Sequence, residues 1–330
     1  MRSNPNHQWM PMPQHIDAAA VRIAPHAHRT PVMTSRSLDV KADAVLFFKC
    51  ENLQRVGAFK FRGACNAVFS LSDAEARRGV ATHSSGNHAQ ALALAARLRG
   101  IPAHIVMPEN APAIKKRAVA GYDARITFCE PTLAARERTL DAVVADTGAA
   151  FIHPYNDERI IAGQATAARE LLADVPDLDV IMAPVGGGGL LSGTALAAHY
   201  HVSSPAVIAA EPEGADDAKR SFEAGHIIPS VNPRTIADGL LTSLGDKTYE
   251  IIRRYVHDIV TVSDDAIIAA MRLVWERMKL VIEPSAAVPL AALLDHSIDL
   301  SGRRVGIIFS GGNVDMDRLP WQPYTTQENA

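Results

Sequence analysis

Lys60 is the residue whose setting first suggests chemistry. It stands in Gly57-Ala58-Phe59-Lys60-Phe61-Arg62-Gly63, between two phenylalanines and two glycines, just beyond the apolar run Val45-Leu46-Phe47-Phe48. An amine pressed among aromatic rings loses hydration, which disfavours its charged form, and a neutral amine condenses with an aldehyde to an imine. The alternative is a lysine whose stem lies on the core and whose head reaches water, and this segment taken alone favours that reading.

Four other stretches carry groups of matching kind. Val185-Gly186-Gly187-Gly188-Gly189 follows an apolar run and precedes an apolar helix pattern. Such a turn brings free N–H groups and a helix amino end around one anion, most naturally a phosphate. It is neither a dinucleotide fingerprint nor a P-loop. His83-Ser84-Ser85-Gly86-Asn87-His88 offers two hydroxyls, an amide and an imidazole at a helix start, suited to a carboxylate, although simple N-caps would serve as well. Ser310-Gly311-Gly312-Asn313 presents a hydroxyl that can face a ring nitrogen as a neutral partner. Glu211-Pro212-Glu213-Gly214-Ala215-Asp216-Asp217 is either a solvated acidic turn or a site for a hard divalent cation.

These stretches share one position in the pattern of elements: each follows a strand. Strands are expected at Val45 to Cys50, Gly79 to Thr82, Ala103 to Met107, Ala124 to Phe128, Ala150 to Ile152, Val180 to Pro184, Ala206 to Ala210, Asp258 to Val262 and Arg304 to Phe309, alternating with helices. The first 15 residues and the stretch from Pro320 onward read as polar, proline-containing tails. Regular alternation predicts an α/β protein with open, parallel-rich twisted sheets covered by helices, whose ligands sit beyond the carboxyl ends of the strands.

The 330 residues are 48% hydrophobic and 21% charged, with a net charge of -3, enough for a sizeable core in two lobes. No basic run or field suits a phosphate backbone, so no nucleic-acid partner is expected. No apolar stretch is long enough for a membrane span, and the polar amino terminus lacks a signal core, which favours the cytoplasm. Cys50, Cys65 and Cys129 have neither disulfide nor zinc spacing and are expected as buried thiols.

A phosphate cradle, a lysine among rings, a carboxylate loop and a ring-nitrogen partner together describe a site for pyridoxal phosphate and an amino acid. From about residue 16 to 318 the chain resembles the fold type II pyridoxal-phosphate enzymes of the serine/threonine dehydratase and serine racemase group. The matching segments are GAFKFRGA at 57–64, HSSGNHAQA at 83–91, IAGQ at 161–164, PVGGGGLLSG at 184–193, IADG at 236–239, VWERMKLVIEPSA at 274–286 and SGGNVD at 310–315.

The resemblance implies that Lys60 holds the cofactor and then acts as base at Cα, with Phe59 on the ring, Asn87 at the ring hydroxyl, Gly186, Gly187, Gly188 and Gly189 at the phosphate and Ser310 at the ring nitrogen. It further implies that Ser84, Ser85, Gly86, Asn87 and His88 bind the substrate carboxylate, with Arg136 as an additional contact. Glu211, the carbonyl of Ala215 and Asp217 match the family's divalent-cation site, for Mg2+ or for Ca2+ or Mn2+. A homodimer is expected, with residues 1–80 and 153–330 as a large cofactor-binding domain and 81–152 as a small mobile one.

The reaction so implied is dehydration of L-threonine or L-serine to a 2-oxo acid and ammonia, with 3-hydroxyaspartate or phenylserine as other substrates. Ser85 permits a second reading, serine racemase, because racemases of the family place a serine there on the opposite face of the substrate. Tyr155 and Ala287-Val288-Pro289 depart from the racemase pattern and are expected to alter the pocket wall. A non-catalytic ligand-binding protein on the same scaffold would have no need of Lys60, and the substrate loop differs from that of the cysteine synthases. Nothing after Asp317 resembles a regulatory domain, so feedback control of the isoleucine-pathway kind is not expected.

Overall fold

The computed structural model describes residues 9–84, 86–111 and 113–322. In chain order the first elements are α1 (Pro13–Ile23), β1 (Val32–Met33), α2 (Arg36–Ala42), β2 (Val45–Cys50), α3 (Lys60–Ser70) and α4 (Asp73–Arg78). Then come β3 (Val80–His83), α5 (Asn87–Arg99), β4 (Ala103–Pro108), α6 (Ala113–Ala120), β5 (Arg125–Cys129), α7 (Leu133–Thr147) and β6 (Ala150–Phe151). The remainder is α8 (Glu158–Asp174), β7 (Val180–Pro184), α9 (Gly189–Tyr200), β8 (Ala206–Pro212), α10 (Asp217–Ala224), α11 (Asp246–Tyr255), β9 (Asp258–Val262), α12 (Asp264–Met278), α13 (Pro284–Leu294) and β10 (Arg304–Phe309).

The strands form two sheets. One has the order β1-β2-β10-β7-β8-β9, parallel throughout except that β1 pairs antiparallel with β2; the other, β5-β4-β3-β6, is parallel throughout. The larger sheet is buried on both faces, as parallel strands require. Alternate residues sort to opposite cores: Leu46, Met182, Val260 and Ile307 pack with α12 and α13, whereas Ile181, Val207, Ile259 and Ile308 pack with α8, α9 and α11. Beneath the smaller sheet, Val80 and Ile105 share a cluster with Ala89 and Leu92 of α5 and with Phe61 and Val68 of α3. α3 lies between α5, which covers the smaller sheet, and α8, which covers the larger one, and its first residue is Lys60.

Two expectations about the ends change. Residues 13–15 are not part of a tail: they form the first turn of α1, where Pro13 occupies a position that needs no donor, and Ile16 and Ala19 behind it are buried. At the other end Trp321 packs edge-on against Trp275 of α12, ring centroids 5.2 Å apart. The three cysteines are buried and free, with burial pushing the Cys50 and Cys65 thiols up to about 12. Among the described residues no helix is long and apolar enough to cross a membrane.

Candidate active site

β2 and β10 are neighbours in the large sheet, so the turns that follow them meet. Phe59 N–H donates to the Ser310 carbonyl at 3.0 Å, Ala58 bridges to Gly311, and Gly312 N–H donates to the Gly57 carbonyl at 2.9 Å. Lys60 and Ser310 are in this way placed side by side by backbone pairing. Ser310 is buried, 2% exposed. The Lys60 amine is surrounded by protein although the residue keeps some surface in the cleft; it donates to the Pro154 carbonyl at 3.0 Å and lies 5.1 Å from the centroid of Phe59. Burial lowers its pKa to about 8, against the opposing pull of Glu283. About a tenth of the amine is thus neutral at pH 7, far more than for an exposed lysine, and neutral amine is the state that condensation with an aldehyde needs.

The four glycines follow β7, the next strand over. Gly188 has φ +86 and caps α9, and a side chain at Gly187 would overlap the ring of Tyr155. The turn is held open by Thr248, whose hydroxyl donates to the Gly187 carbonyl at 2.9 Å. Tyr155 belongs to the same short segment as Pro154, so one loop touches both the lysine and the glycines. His153 in that loop accepts N–H bonds at Nδ1 from Asn156 (2.9 Å) and Tyr155 (3.3 Å), and burial with neighbouring His83 and Lys60 lowers it to about 4. It is a neutral imidazole with its proton on Nε2.

Of the predicted carboxylate loop, Ser84 and residues 86–88 are described and Ser85 lies outside the described residues. Ser84 Oγ accepts from Gly86 N–H at 3.3 Å, and Asn87 opens α5. The Asn87 amide is held at both ends: its Nδ2 donates to Glu283 Oε1 at 3.0 Å, and its Oδ1 accepts from Asn313 Nδ2 at 2.9 Å. The ring of His88 is buried, with Nε2 at 3.3 Å from the Ile152 carbonyl and Nδ1 without a partner among the described residues, and burial keeps it neutral. What His88 offers an anion is its backbone N–H in the first turn of α5. Arg136, on α7, is half-buried, forms no ion pair with the described residues and lies near enough to His83 to help lower that imidazole's pKa.

The acidic turn is solvated only in part: Glu213 is exposed and Asp216 half-buried, but its other two acids are not. Glu211 and Asp217 have no accessible surface, and Ala215 is buried. Glu211 accepts N–H bonds from Ala218 and Lys219, each 3.0 Å, yet burial raises it to about 8. Neither oxygen of Asp217 receives a well-formed hydrogen bond from the described residues, and burial, offset in part by the nearby Ser230 hydroxyl, raises it to about 6. Two buried carboxylates in want of a counter-charge fit a hard cation completed by a carbonyl and water. Among the described residues no group of three His, Cys, Asp or Glu side chains gathers there or elsewhere.

Glu283, Asn313 and the Pro154 carbonyl were given no role by the sequence. Glu283 had a visible signal: a lone acid in the apolar run Leu280-Val281-Ile282 before Pro284. The departures near the pocket also separate here, since Tyr155 lies on the glycine turn whereas Ala287 and Val288 are packed in the core between α13 and the large sheet.

A lysine whose amine is desolvated at a helix start, beside a buried serine and across from a tetraglycine turn, has the donor set that pyridoxal phosphate requires. The family model for pyridoxal-phosphate-dependent enzymes matches residues 23–311. The chain belongs to that family. This pyridoxal-phosphate-dependent enzyme is 53% identical over 313 residues to the β-hydroxyaspartate dehydratase of Paracoccus denitrificans (strain Pd 1222), covering 95% of this chain and 99% of the relative. It is 50% identical over 301 residues to the L-threo-3-hydroxyaspartate ammonia-lyase of Saccharomyces cerevisiae (strain ATCC 204508 / S288c), covering 91% and 92%. The solved structure of maize serine racemase superposes with a TM-score of 0.91 at 48% identity, over 93% of this chain and 94% of that one. The enzyme thus has the two-sheet fold of fold type II pyridoxal-phosphate enzymes, and its relatives include both lyases and racemases.

Proposed function

We propose that the chain is a dehydratase (ammonia-lyase) of β-hydroxy amino acids, converting them to a 2-oxo acid and ammonia, with 3-hydroxyaspartate as a substrate alongside L-serine and L-threonine. The observation that carries the lyase reading is the Lys60 amine, desolvated to about 8 and aimed at a backbone carbonyl beside Ser310. When bound, pyridoxal phosphate supplies an aldehyde for that amine and an electron sink for the pair left at Cα. The glycine turn and the amino end of α9 hold its phosphate, Ser310 meets its ring nitrogen as a neutral hydroxyl, and Asn87, fixed by Glu283 and Asn313, meets its ring hydroxyl.

Lys60, freed when the substrate amine takes its place, would then serve as the base that takes the proton from Cα. The first turn of α5 with Ser84 and Gly86 binds the α-carboxylate. A serine, unlike an aspartate, would not hold the ring nitrogen protonated, a setting that would favour loss of the β-hydroxyl once the Cα proton is removed. Arg136 supports the hydroxyaspartate reading: a half-buried cation without an ion-pair partner among the described residues suits a second carboxylate on the substrate. Both relatives named for hydroxyaspartate point the same way. Glu211, the Ala215 carbonyl and Asp217 hold a divalent cation in this reading, the enzyme works as a homodimer, and residues 81–152 close on substrate.

The test is incubation of purified, cofactor-loaded enzyme with L-serine, L-threonine, 3-hydroxyaspartate and phenylserine, with 2-oxo acid and D-enantiomer both followed. Rapid oxo-acid release, with 3-hydroxyaspartate among the best substrates, is expected. D-serine formed at a comparable rate would favour the racemase reading, which rests on the likeness to maize serine racemase.

A further inference from the structure

We propose that Arg62 is a positioning residue for Lys60, one half of a buried clasp that closes the turn carrying the lysine; the inference rests on the role assigned to Lys60 above. Glu51 opens this turn and Arg62 closes it, and neither has any accessible surface. Arg62 Nε donates to Glu51 Oε2 at 2.7 Å and Nη2 to Glu51 Oε1 at 2.9 Å, a forked pair that fixes angle as well as distance. The remaining donors face α8: Nη1 to Glu170 Oε1 and Nη2 to Glu170 Oε2, both 2.8 Å, and Nη1 to Thr166 Oγ1 at 3.2 Å. Lys49 completes the cluster with bonds to Glu170 Oε2 (2.6 Å) and the Thr30 carbonyl (2.7 Å).

Two cations and two carboxylates cancel, so the cluster is buried without net charge. Burial alone would weaken the charge on Arg62, but Glu51 and then Glu170 more than restore it. Stability is a poor reason for such a cluster, because well-packed apolar groups of the same volume often serve a core equally well. What apolar groups cannot supply is a fixed angle.

The turn between the two ends needs one. Val56 has φ 55 and Gly57 φ 67, consecutive left-handed residues, and a β-branched side chain in that region is strained. The Val56 carbonyl is pinned by Asn313 Nδ2 at 2.7 Å. Lys60 and Arg62 are two residues apart on the first turn of α3, so they leave the helix on nearly opposite sides. One reaches the cleft and the other the interior. With the ends clasped, relaxation of the turn cannot swing Lys60 away from Ser310 and the Pro154 carbonyl.

Arg62→Lys keeps the charge and loses the fork. Wild type, Arg62→Lys, Glu51→Gln and a core control on β9, Ile259→Ala, are compared as apoenzymes reloaded with pyridoxal phosphate. Melting temperature, the rate at which the visible cofactor band appears, the share of Lys60 labelled after borohydride reduction (read by peptide mass), kcat and KM are measured. A displacement of about 1 Å can cost ~10²-fold, so Arg62→Lys is expected to load and turn over roughly tenfold or more slowly, with KM changed far less than kcat. Glu51→Gln moves the same way by less, and Ile259→Ala lowers the melting temperature with loading and kcat unchanged. A folded Arg62→Lys enzyme that loads and turns over like wild type overturns the clasp. So does an Ile259→Ala enzyme that shows the same loss of loading at the same loss of melting temperature. If Arg62→Lys does not fold, Glu51→Gln decides by the same criteria. A wild type without label on Lys60 would overturn the assignment of the lysine itself, and the clasp with it.

Discussion

The lysine turn after β2 and the acidic turn after β8 both bury charge at the carboxyl end of a strand, and they settle it in opposite ways. Behind Lys60, Arg62 and Lys49 face Glu51 and Glu170, and each charged group meets a partner of opposite sign. Around Glu211 and Asp217 the one cation that acts on them among the described residues, Arg220, is paired to Asp216, and burial raises both carboxyls instead. A cluster that satisfies itself can only hold something in place. One that does not leaves a charge that a bound cation would answer.

The comparison can be broken at several points. The largest effect belongs to the lysine itself: Lys60→Ala should remove the visible cofactor band and lower kcat by ~10³-fold or more, and retained turnover would end the assignment. The second concerns the carboxylates. Mg2+ at about 100 times its dissociation constant should add ~2.7 kcal/mol to wild type and raise its melting temperature by a few degrees, whereas Asp217→Asn should abolish the rise. Without metal, Asp217→Asn should cost little or even stabilise, because it removes a buried acid that lacks a partner. If it destabilises the metal-free protein as strongly as a broken ion pair, the two turns do not differ.

Arg136→Ala should lower kcat/KM for 3-hydroxyaspartate by ~10-fold or more, the worth of one charge-assisted hydrogen bond, and leave L-serine nearly unchanged. An equal loss for both would place Arg136 elsewhere than at a second carboxylate. The pH dependence of Lys60 is a finer test. In the apoenzyme, labelling of its amine should rise through a midpoint near 8, well below that of an exposed lysine. Because the folded pKa lies below the unfolded one, the folded state binds fewer protons between about 8 and 10.5. Apoenzyme stability should therefore climb across that interval, and Lys60→Met should remove the climb, on the order of 1–2 kcal/mol. The smallest effect is expected of Glu283→Gln, which moves the labelling midpoint further down, since Glu283 is the charge that opposes burial at Lys60.

Much of this was legible from residue types and spacing. The strands at 180–184, 258–262 and 304–309 stand where the apolar runs place them, because a parallel strand buried on both faces is a run without interruption. α3 begins one residue earlier than its apolar pattern suggests, which brings Lys60 into the helix. β1 left no signal, being two residues long and existing through its pairing with β2, whereas α4 had one, the capping box of Ser72 and Glu75, without an apolar face behind it. The site residues were readable as a set because each follows a strand. The clasp was not, since Lys49, Glu51, Arg62 and Glu170 belong to types that ordinarily face water, and only the packing of α3 on α8 buries them.

The pairing of β2 with β10 has a consequence for how the protein is made. The first of these strands ends at Cys50 and the second begins at Arg304, and their register, Val45 with Arg304 onward, sets Lys60 beside Ser310. During synthesis the lysine emerges early and waits for almost the entire chain before its neighbour arrives. Contacts so distant in sequence form slowly and leave apolar strand edges exposed in the meantime. The nascent chain can thus build its smaller sheet, which is contiguous from β3 to β6, well before Lys60 has its neighbour, and cofactor capture has to wait until β10 is made.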